Sequence, residues 1–403
     1  MNTQSGSWIL FSKTLILPLA FALWFSSCHP GTDSGRGHAL AGPRNQDSLF
    51  KKYELGNIKL PPGFSISVYA EIPSARSLSI SPSGTVFVGT HDGGKVYAIT
   101  DLNHDGIADS VYVIASGLHI PNGVAFRDGN LYIATVSTIY RLDSIESHLT
   151  HPPAPVVVYD NYPKDLHHGP KFIAFGPDGK LYVPVGAPCN ICEPPLPYAS
   201  ITRLNADGSD REIYAAGIRN SVGFAWDPRN GQLWFTDNGR DELGDDIPSD
   251  ELNTAPGKGM NFGFPYCHEG DLLDPVYGKG KNCKDFTPPV KKLGAHVASL
   301  GMRFYTGNSF PSEYRNAIFI AEHGSWNRTI PVGYRVVVCK LDSSGQFDDP
   351  VPFAAGWLQH QFQVNGRPVD VQVAQDGALL VSDDYRGVVY RISYSKNSKY
   401  PNQ

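Results

Sequence analysis

One pattern of polar and hydrophobic positions recurs along the chain: a polar turn that contains Gly or Asn, followed by a run of apolar residues. It occurs six times, in SPSGTVFVGT (81–90), FRDGNLYIAT (126–135), GPDGKLYVPV (176–185), DPRNGQLWFTD (227–237), PSEYRNAIFIAE (311–322) and AQDGALLVSDD (374–384). Gly and Asn tolerate the positive φ that tight hairpin turns require. Strand-like stretches such as NGVAF precede the turns, and others such as STIYRL follow. The pattern predicts an all-β chain of repeated antiparallel sheets.

The spacing of these turns predicts a six-bladed β-propeller. The gaps between the turn residues are 45, 50, 52, 85 and 61 residues, which is blade length with one large insertion, for Gly84, Gly129, Gly179, Gly231, Asn316 and Gly377. Six near-regular copies disfavour the rival, an open sandwich of two sheets. The last copy supplies three strands, which would leave an unpaired edge. We therefore expect FSISVYA (64–70) to complete the last blade and close the ring.

The N-terminus has the features of an export signal. Lys13 precedes the apolar run TLILPLAFALWF, and FSSC resembles a lipobox that ends at Cys28, with Phe25 in place of the usual Leu. Residues 1–28 are predicted to be a signal peptide, 29–57 a flexible linker, 58–395 the propeller and 396–403 a tail. The expected location is periplasmic or cell-surface, with a lipid anchor as the one membrane contact; plain secretion is the alternative.

Charge and cysteine content narrow the function further. The 34 Lys and Arg residues against 39 Asp and Glu give a net charge of −5, so nucleic acid is an unexpected partner. Beyond Cys28, the interpretation is two local disulfides, Cys189 with Cys192 and Cys267 with Cys283, plus a buried Cys339. A four-cysteine zinc site is the alternative.

Candidate chemistry falls on loops that would converge on one mouth of the central channel. In DLHHGPKF, His168 precedes a strand and is a candidate general base, unless it and His167 form an exposed pair. In AAGIRNSVGF, Arg219 and Asn220 open a strand. An arginine there suits a carboxylate, unless it pairs with an acid of a neighbouring blade.

Two further clusters suggest a metal beside an anion. LWFTDNGRDELGDDIPSDELN (233–253) packs seven carboxylates into 21 residues, a candidate Ca²⁺ site or a solvated acidic loop. QVNGRPVDVQ contains Arg367, and AEHGSWNR contains His323, Trp326 and Arg328. Several arginines and histidines on one mouth predict a planar, anionic ligand. Separately, DLNHDGIAD (101–109) is similar to half an EF-hand loop, although Tyr112 replaces the expected Glu; an ordinary turn is the alternative.

Together these segments resemble the soluble PQQ-dependent sugar dehydrogenases, most closely the sorbosone dehydrogenase-like branch of the glucose/sorbosone dehydrogenase group. The resemblance rests on HHGPKFIAFGPDGKLYVPVG, GIRNSVGFAWDP, LWFTDNGRD, DELN, GMNFGFP, HGSWNR and GRPVDV, in the family's order over roughly residues 60 to 393. It implies a six-bladed propeller that binds pyrroloquinoline quinone (PQQ) on a Ca²⁺ ion at the channel mouth.

The resemblance also implies residue roles. His168 matches the base that takes the proton from the sugar hydroxyl while hydride moves to the quinone. The matching cofactor contacts are Arg219, Asn220 and Arg367. The metal positions are the carbonyls of Gly239 and Arg240, with Asp250 near the ion. The remaining acids of the loop are expected to shape it: Asp241, Glu242, Asp245 and Asp246.

Departures from the family pattern shift the expected substrate. GAPCNIC stands where the glucose enzymes carry GDQGRN, and Val369 stands where they carry a second cofactor arginine. Their cofactor lysine has no counterpart here, and His323 and Arg328 are the candidates to replace it. The expected function is PQQ- and Ca²⁺-dependent oxidation of an aldose, polyol or sorbosone-like aldehyde, with an unidentified electron acceptor. The alternatives are a Ca²⁺-dependent lactonase-type hydrolase and a non-catalytic binding propeller.

Overall fold

The six turn-and-strand repeats form six sheets that surround a central axis, which confirms the predicted six-bladed β-propeller. The computed structural model describes residues 45–360 and 362–396 of the 403-residue chain. The predicted signal peptide, its Cys28 and nearly all of the tail lie outside these residues. No helix in the described ranges is long and apolar enough to cross a membrane.

The first five blades each contain four antiparallel strands that follow one another in chain order from the innermost outward. The strands are Ala75–Ile80, Val86–Thr90, Val96–Thr100 and Ser110–Ala115 in blade 1; Gly123–Arg127, Asn130–Ala134, Ile139–Leu142 and Val156–Tyr159 in blade 2; Ala174–Phe175, Leu181–Val185, Ser200–Leu204 and Glu212–Ala216 in blade 3; Phe224–Trp226, Leu233–Asp237, Ser249–Ala255 and Lys291–Ala295 in blade 4; Ser299–Phe304, Ile318–Glu322, Arg335–Cys339 and Val351–Ala355 in blade 5. Met260–Asn261 adds a short parallel strand to the edge of blade 3.

The sixth blade closes the ring with a strand from the beginning of the domain. Its inner strands are Pro368–Val373, Leu379–Asp383 and Val388–Tyr394, and its outer strand is Phe64–Glu71, which pairs antiparallel with Val388–Tyr394. The expectation that residues 64–70 complete the last blade is therefore confirmed. The pairing covers the edge that three strands alone would leave exposed.

Residues 45–57, which we expected within the flexible linker, are folded onto the last blades. Asn45 caps the helix Gln46–Lys52, its side chain accepting hydrogen bonds from the backbone N–H groups of the first turn. Leu49, Tyr53 and Leu55 are buried in one hydrophobic cluster with side chains of blades 5 and 6. The predicted linker therefore does not extend through residues 45–57, because these apolar side chains have a surface to pack on.

Short elements complete the description. The 3₁₀ turns are Leu55–Asn57, Ile145–His148, Cys283–Asp285 and Ser312–Tyr314, and two small hairpins pair Cys267–His268 with Leu272–Leu273 and Leu358–Gln359 with Gln363–Val364. Both predicted disulfides are present, and Cys339 is free and buried. The four remaining cysteines thus pair within their own segments, which removes the zinc alternative.

Glycines on the inner strands allow neighbouring blades to approach closely. A Cβ on Gly123 would lie 2.3 Å from the carbonyl oxygen of Lys171, and one on Gly223 would lie 2.2 Å from that of Leu300. Because any side chain there would force the blades apart, glycine keeps the starts of the inner strands together. The loops that lead into those strands therefore meet at one end of the channel.

Candidate active site

A cleft of about 220 Å³ opens at one end of the propeller, where loops of blades 3 to 6 meet. The predicted site residues that line it are His168, Arg219, Asn220, Gly239, Asp250, His323 and Arg367. Within its blade, each of these residues lies near the start of the first strand, the end of the second strand or the start of the third strand. In an antiparallel blade these positions share one end, so the structure brings together segments separated by up to 199 residues of sequence.

His168 presents one ring nitrogen that is free to accept a proton. Its Nδ1 lies 2.8 Å from the carbonyl oxygen of Ala187, so this nitrogen carries the hydrogen and donates it. Within the described residues, Nε2 has no hydrogen-bond partner. Burial, together with the nearby charges of Arg219 and His167, lowers the pKa of His168 to about 2. The imidazole is therefore neutral, with its lone pair on Nε2.

The guanidinium of Arg219 is buried and held by hydrogen bonds from all three of its nitrogens. Nε and Nη2 donate to the carbonyl and side-chain oxygens of Asn190, both at 2.9 Å, and Nη1 donates to the carbonyl of Asn238 at 3.2 Å. Nη2 also lies 3.2 Å from a carboxylate oxygen of Asp241. Arg219 thus pairs with an acid of its own blade, and not with an acid of a neighbouring blade as the alternative expected.

Asn220 is held by its backbone, which leaves its side chain available. The N–H groups of Arg219 and Asn220 donate to the two carboxylate oxygens of Asp237, at 2.8 and 2.6 Å. Among the described residues, the side-chain amide of Asn220 makes no hydrogen bond. This amide can therefore bond to a ligand in the cleft.

Asp250 lines the cleft and organises the predicted metal loop. Its Oδ1 accepts the N–H of Gly239 at 2.9 Å, and its Oδ2 accepts the N–H of Ser299 at 2.8 Å. The carbonyl oxygens of Gly239 and Arg240 accept no hydrogen bond from any described residue. The Arg240 side chain is buried and donates to Asp274 at 2.6 Å. Both backbone carbonyls therefore remain available to a cation, and Oδ1 of Asp250 keeps a lone pair beside its one hydrogen bond.

Arg367 brings a positive charge to the cleft without a carboxylate partner among the described residues. Its Nε and Nη2 donate to the carbonyl oxygens of His323 and Gly324, at 3.1 and 2.9 Å. His323 Nε2 lies 2.9 Å from Asp384, which also accepts from Arg76 at 2.8 Å. Burial lowers the pKa of His323 to about 4, against the opposing effect of Asp384. The neutral ring donates from Nε2 and keeps Nδ1 as an acceptor.

The acidic residues that follow the metal loop tie blade 4 to blade 5. Asp241 accepts a hydrogen bond from Asn327 at 2.7 Å, and Asp246 pairs with Arg328 at 3.1 Å. These acids therefore shape the loop, in agreement with the sequence interpretation. Arg328, expected as a cofactor contact, is not among the residues that line the cleft. Trp326 lines it and is 74% exposed.

Sequence reasoning missed several residues of the cleft. His296, Asn238 and Asn327 line it, and Oδ1 of Asn327 is buried without a hydrogen-bond partner in the described chain. His296 donates from Nε2 to the carbonyl oxygen of Gly244 at 2.8 Å. A signal existed, because His296 precedes the first strand of blade 5 as His168 precedes that of blade 3.

Side-chain metal clusters are absent from the part of the chain that the structure describes: no group of three or more His, Cys, Asp or Glu residues could hold an ion there. In the loop of residues 101–109, Asp101 accepts the N–H of Gly106 at 2.9 Å and Asp109 accepts that of Leu102 at 2.6 Å. The carboxylates of this loop thus stabilise its own turn, which favours the turn interpretation.

Comparison with known proteins places this arrangement in a family. The model of the family described as Glucose / Sorbosone dehydrogenase matches residues 134–391, more than half of the chain. The chain belongs to the glucose/sorbosone dehydrogenase family. It is 35% identical over 354 residues to an uncharacterized protein of Borreliella burgdorferi, covering 84% of this chain and 91% of that one.

Relatives with a described activity match over shorter ranges. A pyrroloquinoline quinone-dependent pyranose dehydrogenase of Coprinopsis cinerea is 34% identical over 122 residues, 26% of this family member and 16% of that protein. The holo PQQ domain of the Coprinopsis cinerea pyranose dehydrogenase has a TM-score of 0.68 at 20% identity, covering 83% and 97% of the two chains. A family AA12 enzyme of Trichoderma reesei has a TM-score of 0.71 at 21% identity, covering 84% of this chain and 98% of that one. These solved structures share the propeller fold.

Proposed function

We propose that this member of the family is a PQQ-dependent oxidoreductase that oxidises a sugar or a sugar-derived aldehyde in the cleft, with Ca²⁺ as a second cofactor. Family membership and the quinone dependence of similar enzymes support the proposal. The observation that carries it is Arg367, a cation at the cleft without a carboxylate partner among the described residues. A cation in that state suits an anionic ligand.

The polar groups of the cleft fit a planar quinone with carboxylates. Arg367 supplies charge, and the amide of Asn220 and Oδ1 of Asn327 supply hydrogen-bonding groups without protein partners in the described chain. Arg219 contributes its charge, while its hydrogen bonds hold the loop. Val369 is buried against Val222 and Leu300, so a second arginine has no equivalent at that position.

The carbonyl oxygens of Gly239 and Arg240 fit a hard divalent ion. Ca²⁺ binds carbonyl oxygens, and oxygens of other ligands and of water complete its coordination shell. When bound, PQQ would accept the hydride, and Ca²⁺ would polarise the quinone. Asp250 holds the loop in place by accepting the Gly239 N–H.

His168 is the proposed base for the substrate hydroxyl. Its hydrogen bond to Ala187 fixes the tautomer, so Nε2 accepts the proton. The positive charge of Arg219 disfavours the imidazolium. An anionic ligand in the cleft opposes that effect and raises the pKa of His168 towards the working pH.

Reconstitution with PQQ and Ca²⁺, followed by dye-linked oxidation of aldoses, polyols and aldehydes, tests the proposal. We expect His168→Ala to lower kcat by about 10²- to 10⁴-fold without weakening PQQ binding. The matched control is His151→Ala, an exposed histidine in a loop of blade 2. Unchanged turnover in His168→Ala, or hydrolysis of lactones with Ca²⁺ alone, would contradict this function.

We also propose that the protein is exported and anchored by lipid at Cys28. The two disulfides support an oxidising compartment. Metabolic labelling with a radioactive fatty acid should mark the wild type and not Cys28→Ser. Equal labelling of both would refute the anchor.

A further inference from the structure

We propose that Asn190 is a positioning residue: it holds Arg219 and the loop of residues 239–241 in place at the cleft. Asn190 lies inside the small loop that the Cys189–Cys192 disulfide closes. Its effects on cofactor binding and turnover rest on the proposed function; its effect on the loop does not. Asn190 lies in the segment GAPCNIC, residues 186–192.

Asn190 bonds to both elements at once. Its backbone carbonyl accepts Nε of Arg219 at 2.9 Å, and its Oδ1 accepts Nη2 of the same side chain at 2.9 Å. Oδ1 also accepts the backbone N–H of Asp241 at 2.8 Å, and Nδ2 donates to the Asp241 carbonyl at 3.2 Å. One side chain thus joins a loop of blade 3 to two loops of blade 4.

The disulfide fixes the residue that makes these bonds. Cys189 and Cys192 close a loop with Asn190 and Ile191 between them. Ile191 packs against a small buried cluster that contains Ala187 and Phe264. Because the neighbours on both sides are held, little conformational freedom remains to be lost when Asn190 bonds to its partners.

The same segment reaches the proposed base. The carbonyl of Ala187 accepts Nδ1–H of His168, and the N–H of Ala187 donates to the Arg219 carbonyl at 2.8 Å. Residues 187–192 therefore touch the base, the buried arginine and the metal loop. Replacing Asn190 with alanine removes Oδ1, so Nη2 of the buried guanidinium and the Asp241 N–H both lose this acceptor. The backbone carbonyl of residue 190 still accepts Nε of Arg219.

The decisive experiment compares hydrogen exchange and quinone binding in four variants. Asn190→Ala should speed exchange of the Asp241 amide at least tenfold in the cofactor-free protein and weaken PQQ binding about 10- to 100-fold. Asn190→Asp keeps the Oδ1 acceptor for the Asp241 N–H and loses the Nδ2–H donor to the Asp241 carbonyl, so exchange of the Asp241 amide should return most of the way to the wild-type rate. The double variant Cys189→Ser/Cys192→Ser should have an Asp241 exchange rate and a PQQ affinity between those of the wild type and those of Asn190→Ala.

Asn205→Ala is the control, because Asn205 bonds to Ser209 and Asp210 in a turn at the opposite end of the same blade. It should leave exchange at Asp241 and PQQ binding unchanged. Wild-type exchange at Asp241 in Asn190→Ala, or no rescue by Asn190→Asp, would overturn the positioning role. Absence of quinone binding in the wild type, with faster exchange in Asn190→Ala, would refute the proposed function and support the positioning of the loop.

Discussion

Gly186 allows His168 to occupy its place, and replacing it with alanine tests how tightly the proposed base is positioned. A Cβ on Gly186 would lie 2.5 Å from Cβ and 2.9 Å from the carbonyl oxygen of His168, and 3.1 Å from Oδ1 of Asn220. Ordinary contact begins near 3.4 Å. His168 must therefore move by about 1 Å, and a misplacement of that size costs about 10²-fold in rate.

We expect Gly186→Ala to lower kcat/KM about 100-fold, which corresponds to about 2.7 kcal/mol of transition-state stabilisation. Overpacking at this site should cost about 1–3 kcal/mol of unfolding free energy, so the variant stays folded. The assay is dye-linked sugar oxidation with saturating PQQ and Ca²⁺, alongside thermal unfolding. Gly257→Ala is the control, because a Cβ there meets no atom within 4 Å. A Gly186→Ala rate within threefold of the wild type would refute the reasoning.

Three further predictions concern ionisable groups and the metal. Burial raises the pKa of Glu322 to about 7, although the charge of Arg335 lowers it. The folded protein therefore binds this proton more tightly than the unfolded chain does. The unfolding free energy should fall by up to about 3 kcal/mol as the pH rises from about 4.5 through 7. Urea titrations should show this slope flattened in Glu322→Gln; an unchanged slope would contradict it. Burial also raises the pKa of Cys339 to about 12, so iodoacetamide at pH 8 should label it only after unfolding; rapid native labelling would disprove this. Chelation with EGTA should weaken PQQ binding at least tenfold, and adding Ca²⁺ should restore it. Equal PQQ binding with and without EGTA would show that no metal at the carbonyls of Gly239 and Arg240 is required.

The sequence was sufficient to predict the propeller, because its signals are local. Each hairpin turn carries its own Gly or Asn, and each strand carries its own apolar residues. The closing strand Phe64–Glu71 followed from counting strands in the last blade. The helix Gln46–Lys52 was missed because seven residues are too few for a clear helical period, and its burial depends on surfaces of blades 5 and 6.

The site was predicted in part, and the omissions have a physical cause. Residue type and position at a strand end were enough to predict that His168 and Arg367 lie at the same mouth, and both line the cleft. The role of Asp250 depends on the N–H of Ser299, 49 residues away, which no local pattern reveals. Arg328 was assigned by its proximity in sequence to His323, although its pairing with Asp246 draws it out of the cleft lining.

The central claim is that Arg367 receives an anionic quinone in this cleft. The most direct test is an equilibrium titration of the cofactor-free protein with PQQ in the presence of Ca²⁺, comparing the wild type with Arg367→Met. We predict saturable one-to-one binding by the wild type and a 10- to 100-fold larger dissociation constant in the variant, measured at a temperature at which both proteins are folded. Absence of binding at micromolar PQQ, or equal affinity in the two proteins, would contradict the claim.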